Sequence, residues 1–272
     1  MLSLPVAGTM SALAPKTSAL MMLTGPAIDP RDDTGTGPAL LADVVDRGEG
    51  GWLRIYRPAP TVAFSRRDTL HAGFGAAVEI SRDHGFMPVV RAPGGRAAAY
   101  HERALCLELV VADPDARTGT TARFVELADL IALALTSLGV DARVGAVPDE
   151  YCPGRYSVNG AGRVKLAGTA QRIVRGGWFI GAVILVDGAA PVREVIAPVY
   201  QTLGMHCDVT TVGSVADLTA GIDVHDVSAA LITALDRRLP LQSAHYPTDL
   251  VRRARLAAPS HPILTRPAEG DA

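Results

Sequence analysis

The sequence has few cysteines and almost no net charge, and each shortage excludes a class of protein. Its three cysteines are an odd number spread widely over 272 residues, so a disulfide framework is excluded and a reducing, cytoplasmic location is expected. A formal net charge of −2 provides no global field for nucleic acid or a membrane surface, and neither is expected as a partner. No uninterrupted apolar run is long enough to predict a membrane span.

Lysine is nearly absent, because almost every other cation is an arginine. It occurs only at Lys16 and at Lys165, and Lys165 lies in the glycine-rich stretch Asp149–Asp187. An ammonium is a compact point charge whose pKa shifts on burial, whereas a guanidinium is a planar fork that stays charged. The retained lysine indicates a need for an ammonium at position 165. A leftover surface lysine in a chain with codon bias is the alternative.

Composition divides the chain into three parts. Residues 1–38 are rich in Ala, Ser, Thr, Pro and Gly and are predicted to form a mostly disordered leader. Residues 39–257 carry the periodic apolar pattern of one folded domain, with no internal repeat and no linker between two halves. Residues 258–272 are rich in proline and predicted to be a flexible tail.

The folded part mixes short strands with amphipathic helices. Ala104–Ala112 is a near-continuous apolar run, typical of a central strand. Thr121–Leu138 has apolar residues at helical spacing. Tyr156–Asn159 and Arg163–Ala167 predict a hairpin over a Gly-Ala-Gly turn. These elements predict an α+β (mixed α/β) fold with a mixed sheet in a single domain.

A glycine loop, Arg91–Arg96, interrupts two predicted strands. Gly94 and Gly95 lack a Cβ, so they allow close approach of a ligand and expose N–H groups to a carbonyl or phosphate. The loop does not match the spacing of a P-loop or a dinucleotide fingerprint, and an ordinary turn is the alternative. His101 follows the second strand, where a lone histidine is more often structural than catalytic.

The three cysteines lie in different contexts. Cys152 occupies a Tyr-Cys-Pro-Gly turn, where a nearby Lys165 ammonium would lower the thiol pKa and favour a nucleophilic thiolate. Cys106 lies in an apolar strand and is expected to be a buried hydrophobe. Cys207 has no further ligands at close metal-binding spacing, so no metal site is predicted. Spacing leaves both a catalytic and a structural role open for Cys152.

Two motifs together resemble a known family. The pattern Gly-Gly-x-Ala-x-x-Tyr-His spans residues 94–101, and Lys-x-x-Gly-x-Ala-Gln-Arg spans residues 165–172 before a long apolar strand. They resemble the catalytic domain shared by biotin and lipoate protein ligases and octanoyltransferases. The resemblance implies a single domain with a mixed, mostly antiparallel sheet flanked by helices. It also implies transfer of a lipoyl or octanoyl group to a lysine of 2-oxoacid dehydrogenase lipoyl domains or the glycine cleavage H protein.

The resemblance also implies roles for individual residues. Cys152 matches the cysteine that carries the acyl group as a thioester, and Lys165 matches the lysine that contacts the acyl carbonyl or phosphate. The residues assigned to acyl or substrate binding are Arg91, Gly94, Gly95, Arg96, Tyr100, His101, Gly168 and Ala170.

Departures from the family pattern weigh unequally on the rival mechanisms. The ligase loop usually contains Ser and a third Gly where this chain has Pro93 and Arg96, and its His-Gly on the later strand appears as Ile180-Gly181. These changes favour a transferase without a required cofactor over a lipoate–protein ligase that uses ATP and Mg. A non-catalytic lipoyl- or biotin-binding module is a third alternative.

The transferase interpretation implies two protein partners, an acyl carrier protein that donates the octanoyl or lipoyl group and a lipoyl-domain protein that accepts it. Four arginines are candidates for docking acidic carrier domains, with solvated surface arginines as the alternative. They are Arg66, Arg67, Arg172 and Arg175.

Overall fold

The computed structural model describes residues 11–15, 19–24 and 28–265. The strands are β1 (Leu20–Thr24), β2 (Gly51–Tyr56), β3 (Thr61–Phe64), β4 (Met87–Val90), β5 (Ala98–Tyr100), β6 (Ala104–Ala112), β7 (Ala142–Val144), β8 (Val158–Gly160), β9 (Val164–Val174), β10 (Gly177–Leu185) and β11 (Leu241–His245). The helices are α1 (Pro30–Asp33), α2 (Thr36–Arg47), α3 (Phe74–Asp83), α4 (Thr120–Ser137), α5 (Ala189–Thr202), α6 (Val224–Asp236) and α7 (Leu250–Ala257). No described helix combines the length and the hydropathy needed to cross a bilayer.

Within the described residues, eight strands form one sheet in the order β11-β1-β2-β6-β10-β9-β8-β7. The β11–β1 and β1–β2 pairs are parallel, and the remaining neighbours are antiparallel. The predicted mixed, mostly antiparallel sheet is confirmed. A second, three-stranded sheet in the order β4-β3-β5 carries the glycine loop between β4 and β5, and the sequence did not predict it as separate.

The central position of β6 follows from its sequence. All nine of its residues are buried, as its near-continuous apolar run predicts. One face of the large sheet packs against α4 and α6. At one end of the other face, α2 and α7 pack near Val110 and Phe179; at the other end, the small sheet packs with α3 and α5. Cys106 and Glu108 of β6 lie on this face between the two packed ends, and they border a cavity.

The expected disordered leader is wrong for the described part of residues 1–38. Leu13 and Leu20 are fully buried, and β1 lies inside the large sheet between β11 and β2. The strand is stabilised by pairing with the far end of the chain, which local composition does not reveal. Lys16 lies outside the described residues.

The expected flexible tail is also wrong where the structure describes it. Residues 262–265 form a 3₁₀ turn, and Ile263 and Leu264 pack against the cluster formed by the small sheet, α3 and α5. Residues 266–272 lie outside the description. The outer limits of the 39–257 domain therefore stay a prediction, although described residues on both sides of it are packed onto it.

Leu20→Ala is expected to lower the free energy of unfolding by about 2–5 kcal/mol, because it removes a fully buried side chain from a packed core. Leu70→Ala is the matched control, since Leu70 is 83% exposed and its loss should change stability by less than about 0.5 kcal/mol. Urea unfolding of both variants measures the difference. Equal stability of the two variants would mean that β1 does not contribute to the folded sheet.

Candidate active site

A cavity of about 390 Å³ lies on the face of the large sheet that meets the glycine loop. Gly168 and Ala170 on β9 pair with Val183 and Gly181 on β10, so small residues on adjacent strands leave this part of the sheet face uncovered. Most of the residues that the sequence assigned to a site line this single cavity. They are Arg91, Gly94, Gly95, Tyr100, Cys152, Lys165, Gly168 and Ala170.

Cys152 is held in an uncommon backbone conformation. Its φ is 42°, in the left-handed region that residues with a Cβ seldom adopt. The Cys152 N–H donates to the hydroxyl of Tyr200 on α5, and that hydroxyl donates to the Ala97 carbonyl at 3.0 Å. A buried tyrosine thus connects the cysteine turn to the segment that follows the glycine loop. Strained conformations of this kind cluster at functional sites.

The thiol of Cys152 contacts donors from the glycine loop. The Arg96 N–H donates to Sγ at 3.3 Å, and Nη2 of Arg91 lies 3.6 Å from Sγ and 2.8 Å from the Arg96 carbonyl that it binds. Gly95 has a φ of 113°, and a Cβ there would lie 2.5 Å from Arg91 Nη2 and 3.1 Å from Sγ. Glycine is therefore required at position 95, both for its backbone and for the approach of the thiol.

These contacts change the pKa of the Cys152 thiol. Burial raises the pKa of Cys152, but the charge of Arg91, the charge of Lys165 and the Arg96 N–H lower it by more. The net pKa is lowered from the ordinary value, which favours the thiolate nucleophile. The sequence predicted that Lys165 would lower this pKa, and the structure agrees in direction. The larger electrostatic contribution comes from Arg91, which the sequence assigned only to substrate binding.

Lys165 faces the backbone of the cysteine turn. Its buried Nζ donates to the Cys152 carbonyl at 2.7 Å and to the Tyr151 carbonyl and Glu150 Oε1, each at 3.1 Å. An ammonium has three donors, so these acceptors match its full capacity. The lysine therefore holds the backbone of the cysteine turn in place, and its contact with the acyl carbonyl stays a prediction. A Cβ at Gly168 would lie 3.2 Å from Lys165 Cε, so a side chain at position 168 would crowd the lysine.

Glu150 is a residue that sequence reasoning missed. It is 1% exposed and also accepts from Ser157 Oγ at 2.6 Å and from the N–H groups of Val147 and Gly154. This carboxylate ties both ends of the cysteine turn to the lysine. The only sequence signal for it was its proximity to Cys152 in the chain.

Two residues assigned to the site do not line the cavity. The Arg96 side chain turns away toward His71, 3.5 Å from its Nε2, and toward Asp68, so only the backbone of Arg96 serves the thiol. His101 is buried and structural: its Nε2 bonds to the Gly188 carbonyl at 2.8 Å, and its Nδ1 accepts from Arg103 N–H at 3.1 Å. Both side chains are engaged outside the cavity, so the backbone N–H of Arg96 is the group of these two residues that faces the site.

The other two cysteines differ from Cys152. Cys106 borders the cavity, but burial and the carboxylates of Asp33 and Glu108 raise its pKa well above the ordinary value. Burial likewise raises the pKa of Cys207. Neither environment favours a thiolate, so Cys152 is the cysteine suited to nucleophilic chemistry.

The far part of the cavity, on the side of β6, contains ionisable groups that the sequence analysis did not identify. Asp33, Tyr56 and Glu108 line it, beside the fully buried Arg54. In the sequence, these groups are indicated only by Glu108 within the otherwise apolar run of β6 and by Arg54 within β2. Only the register, which sets Arg54 opposite Glu108, shows that the two charges meet.

A family model for the lipoyl protein ligase A/B catalytic domain matches residues 36–236. The chain belongs to this family. The match includes the glycine loop, the cysteine turn and the Lys165 strand, so the resemblance seen in the two motifs is confirmed at the family level.

Curated relatives include enzymes named for acyl transfer. The chain is 27% identical over 180 residues to an octanoyl-[GcvH]:protein N-octanoyltransferase of Geobacillus kaustophilus, covering 66% of this chain and 63% of that protein. It is 25% identical over 180 residues to a lipoyl-[GcvH]:protein N-lipoyltransferase of Listeria monocytogenes, covering 66% and 64%. The chain thus spans less than two thirds of the length of these relatives.

Solved structures establish the fold. A lipoate-protein ligase A bound with ATP superposes with a TM-score of 0.70 at 20% identity, covering 88% of this chain and 94% of that one. A bi-partite lipoate protein ligase from Thermoplasma acidophilum gives a TM-score of 0.64 at 19% identity, with coverage of 88% and 91%. The predicted ligase-like α+β domain is confirmed.

Arg91→Met is expected to raise the pKa of the Cys152 thiol by about 1–3 pH units, because it removes the cation beside Sγ. Alkylation of Cys152 by iodoacetamide, followed against pH by mass spectrometry, measures this pKa. The thiolate fraction, and with it the alkylation rate near neutral pH, should fall.

Arg172→Met is the matched control for this experiment. Arg172 is exposed and donates to the Ala92 carbonyl at 3.3 Å, so its loss should leave the thiol pKa within about 0.5. An unchanged pKa in Arg91→Met would show that the guanidinium does not stabilise the thiolate.

Proposed function

We propose that this protein is an acyltransferase that moves an octanoyl or lipoyl group from an acylated carrier protein, through a thioester on Cys152, to a lysine of a lipoyl carrier domain. The observation that supports it best is the Cys152 thiol, which lies in the cavity beside Arg91 and the Arg96 N–H. The names of the curated relatives support the same class of reaction.

In the first step the Cys152 thiolate attacks the carbonyl carbon of the acyl donor. A new C–S bond forms, the bond between the acyl carbon and the donor breaks, and the leaving group takes a proton from solvent. Exchange of one thioester for another is near thermoneutral, so a thioester donor requires no nucleotide. The Arg96 N–H and Arg91 lie beside Sγ, where they can stabilise charge that develops on the acyl oxygen.

In the second step the neutral amine of the acceptor lysine attacks the thioester carbon. The amide C–N bond forms, the C–S bond to Cys152 breaks, and the amine loses one proton to solvent. The departing thiolate returns to the pocket that Arg91 stabilises. The lowered pKa of Cys152 favours this departure, because a thiolate that is stable near neutral pH is the better leaving group.

Two chemical classes of acyl donor are compatible with this proposal. The relatives are named for transfer from octanoyl-[GcvH] or lipoyl-[GcvH], whereas an acyl carrier protein would present a thioester. Transfer from either donor would give the same Cys152 thioester, so the experiment must include both donors.

Docking of the carriers is proposed to use the exposed arginines. Arg66 and Arg67 lie on the loop before Leu70, which is 83% exposed, and Arg172 and Arg175 lie on β9 and the turn after it. Exposed arginines such as Arg66 and Arg67, close in the chain to the exposed Leu70, are complementary to acidic groups on a carrier domain.

Incubation with octanoyl acyl carrier protein or with octanoyl-[GcvH], without ATP, is expected to place an octanoyl group on Cys152. Addition of a lipoyl domain should move that group to a lysine of the domain. Cys152→Ala should lower transfer by about 10³-fold or more, because the nucleophile is lost. Intact-mass and peptide mass spectrometry follow both steps.

Cys106→Ala is the matched control, since this thiol borders the same cavity but has a raised pKa, and it should retain transfer. Transfer that survives in Cys152→Ala and requires ATP would instead assign an ATP-dependent ligase. Binding of octanoate with no transfer under either condition would assign a non-catalytic binding module.

A further inference from the structure

The floor of the cavity includes a row of residues that are direct neighbours across four strands. Ala170 on β9 pairs with Gly181 on β10, which in turn pairs with Glu108 on β6. Glu108 then pairs with Arg54 on β2. Directly paired residues share one face of a sheet, so the whole row belongs to the face that carries the cavity. Along the row, two small residues are therefore followed by two large ionic ones.

The small residues of this row form a groove, because their neighbours along β10 are larger. Phe179 and Val183 lie two positions before and after Gly181, on the same face of the strand, and both line the cavity. A Cβ at Gly181 would lie 3.5 Å from a ring carbon of Phe179, so a side chain there would fill the groove. The groove therefore runs across β9 and β10 towards β6.

The cysteine turn lies over the β9 end of this groove. The Cys152 carbonyl accepts from Lys165 Nζ at 2.7 Å, and this Nζ would lie 3.5 Å from a Cβ at Gly168, two positions before Ala170 on β9. From β9 to β6 the groove crosses two strand spacings, about 10 Å. An extended chain of eight carbons is about 9 Å long, at about 1.5 Å for each C–C bond. An octanoyl group that starts at the thiol would thus end beside β6.

The groove ends at an ionic wall formed by Asp33, Arg54 and Glu108. The side chain of Arg54 is fully buried, and its guanidinium pairs with Asp33 and, at 3.1 Å, with Glu108 Oε2. Its Nε donates to the hydroxyl of Tyr246 at 2.8 Å, and its Cζ lies 3.5 Å from the ring centroid of Tyr56. Every nitrogen of the guanidinium is thus engaged. Separating such a buried pair costs far more free energy than the burial of one further methylene group returns.

We propose that this ionic wall sets the length of the acyl chain, so that the groove admits a chain of eight carbons and stops a longer one. The inference rests on the proposed function and adds Gly181 and Glu108 as specificity-determining residues. Shorter chains bury less apolar surface, whereas longer chains would have to displace a paired charge. A lipoyl group has the same eight-carbon backbone as an octanoyl group, so the wall admits both.

The test compares hexanoyl-, octanoyl-, decanoyl- and dodecanoyl-pantetheine as acyl donors to Cys152, at low donor concentration and with adduct formation followed by mass spectrometry. The wild-type protein should react fastest with the octanoyl donor. The hexanoyl donor should react about tenfold more slowly, because it buries two fewer methylene groups. The decanoyl donor should also react at least about tenfold more slowly, because its end meets the wall.

Two variants should shift the preferred chain length in opposite directions. Glu108→Ala removes part of the wall and leaves Arg54 paired with Asp33, so the decanoyl donor should react at least as fast as the octanoyl donor. Gly181→Val fills the middle of the groove, so the hexanoyl donor should react faster than the octanoyl donor. Gly181→Val leaves the buried ion pairs intact, so it tests the inference even where Glu108→Ala fails to fold.

Glu79→Ala is the matched control, because it removes a glutamate that pairs with Arg82 at the surface of α3. It should keep the wild-type order of the four donors. Equal rates for octanoyl and dodecanoyl donors in the wild-type protein, or an octanoyl preference unchanged in both groove variants, would overturn the inference and leave the proposed function intact.

Absence of an adduct with every donor would count against the proposed function alone. Calorimetric titration of the four free fatty acids into the same proteins then decides the inference. Tightest binding of octanoate by the wild-type protein, with a shift towards decanoate in Glu108→Ala or towards hexanoate in Gly181→Val, supports it. Affinity that rises steadily to dodecanoate, an optimum unchanged by either substitution, or no binding of any acid overturns it.

Discussion

A thiolate in a recess needs positive charge close by, because a buried anion without a partner is strongly disfavoured. In this protein Arg91 provides that charge from the end of β4, and the Arg96 N–H adds a donor from the same loop. The requirement explains the glycine at position 95, which allows the thiol and the guanidinium to meet. The small three-stranded sheet holds both ends of this loop, so the contact with Cys152 depends on that sheet.

The cysteine turn is held from the opposite side by a buried ion pair. Lys165 and Glu150 bond to one another and to backbone groups of the turn, at 3% and 0% side-chain exposure. A buried pair of this kind is weak support for stability but imposes a definite geometry. The unusual φ of Cys152 is maintained by these bonds and by Tyr200. The glycine loop therefore contacts the sulfur of Cys152, and Lys165 on β9 holds the backbone of the same residue.

Much of the fold was predictable because its signals are local. The apolar run of β6, the helical periodicity of α4 and the glycine turn between β8 and β9 each carry their information within a few residues. β1 and β11 were missed because each is stabilised by a partner at the opposite end of the chain. In strands this short, the alternation of apolar and polar residues is too brief to distinguish a strand from a loop.

The sequence by itself determined the family, because the glycine-loop motif and the lysine motif have fixed spacing, and it singled out Lys165 and Cys152 as candidate site residues. Only the tertiary structure decided which cation faces the thiol. Spacing pointed to Lys165, but β9 directs its ammonium to backbone carbonyls, and Arg91 approaches Sγ from another sheet. It likewise decided that Glu108 and Arg54 meet at the far end of the cavity, since only strand register brings charges from distant segments together.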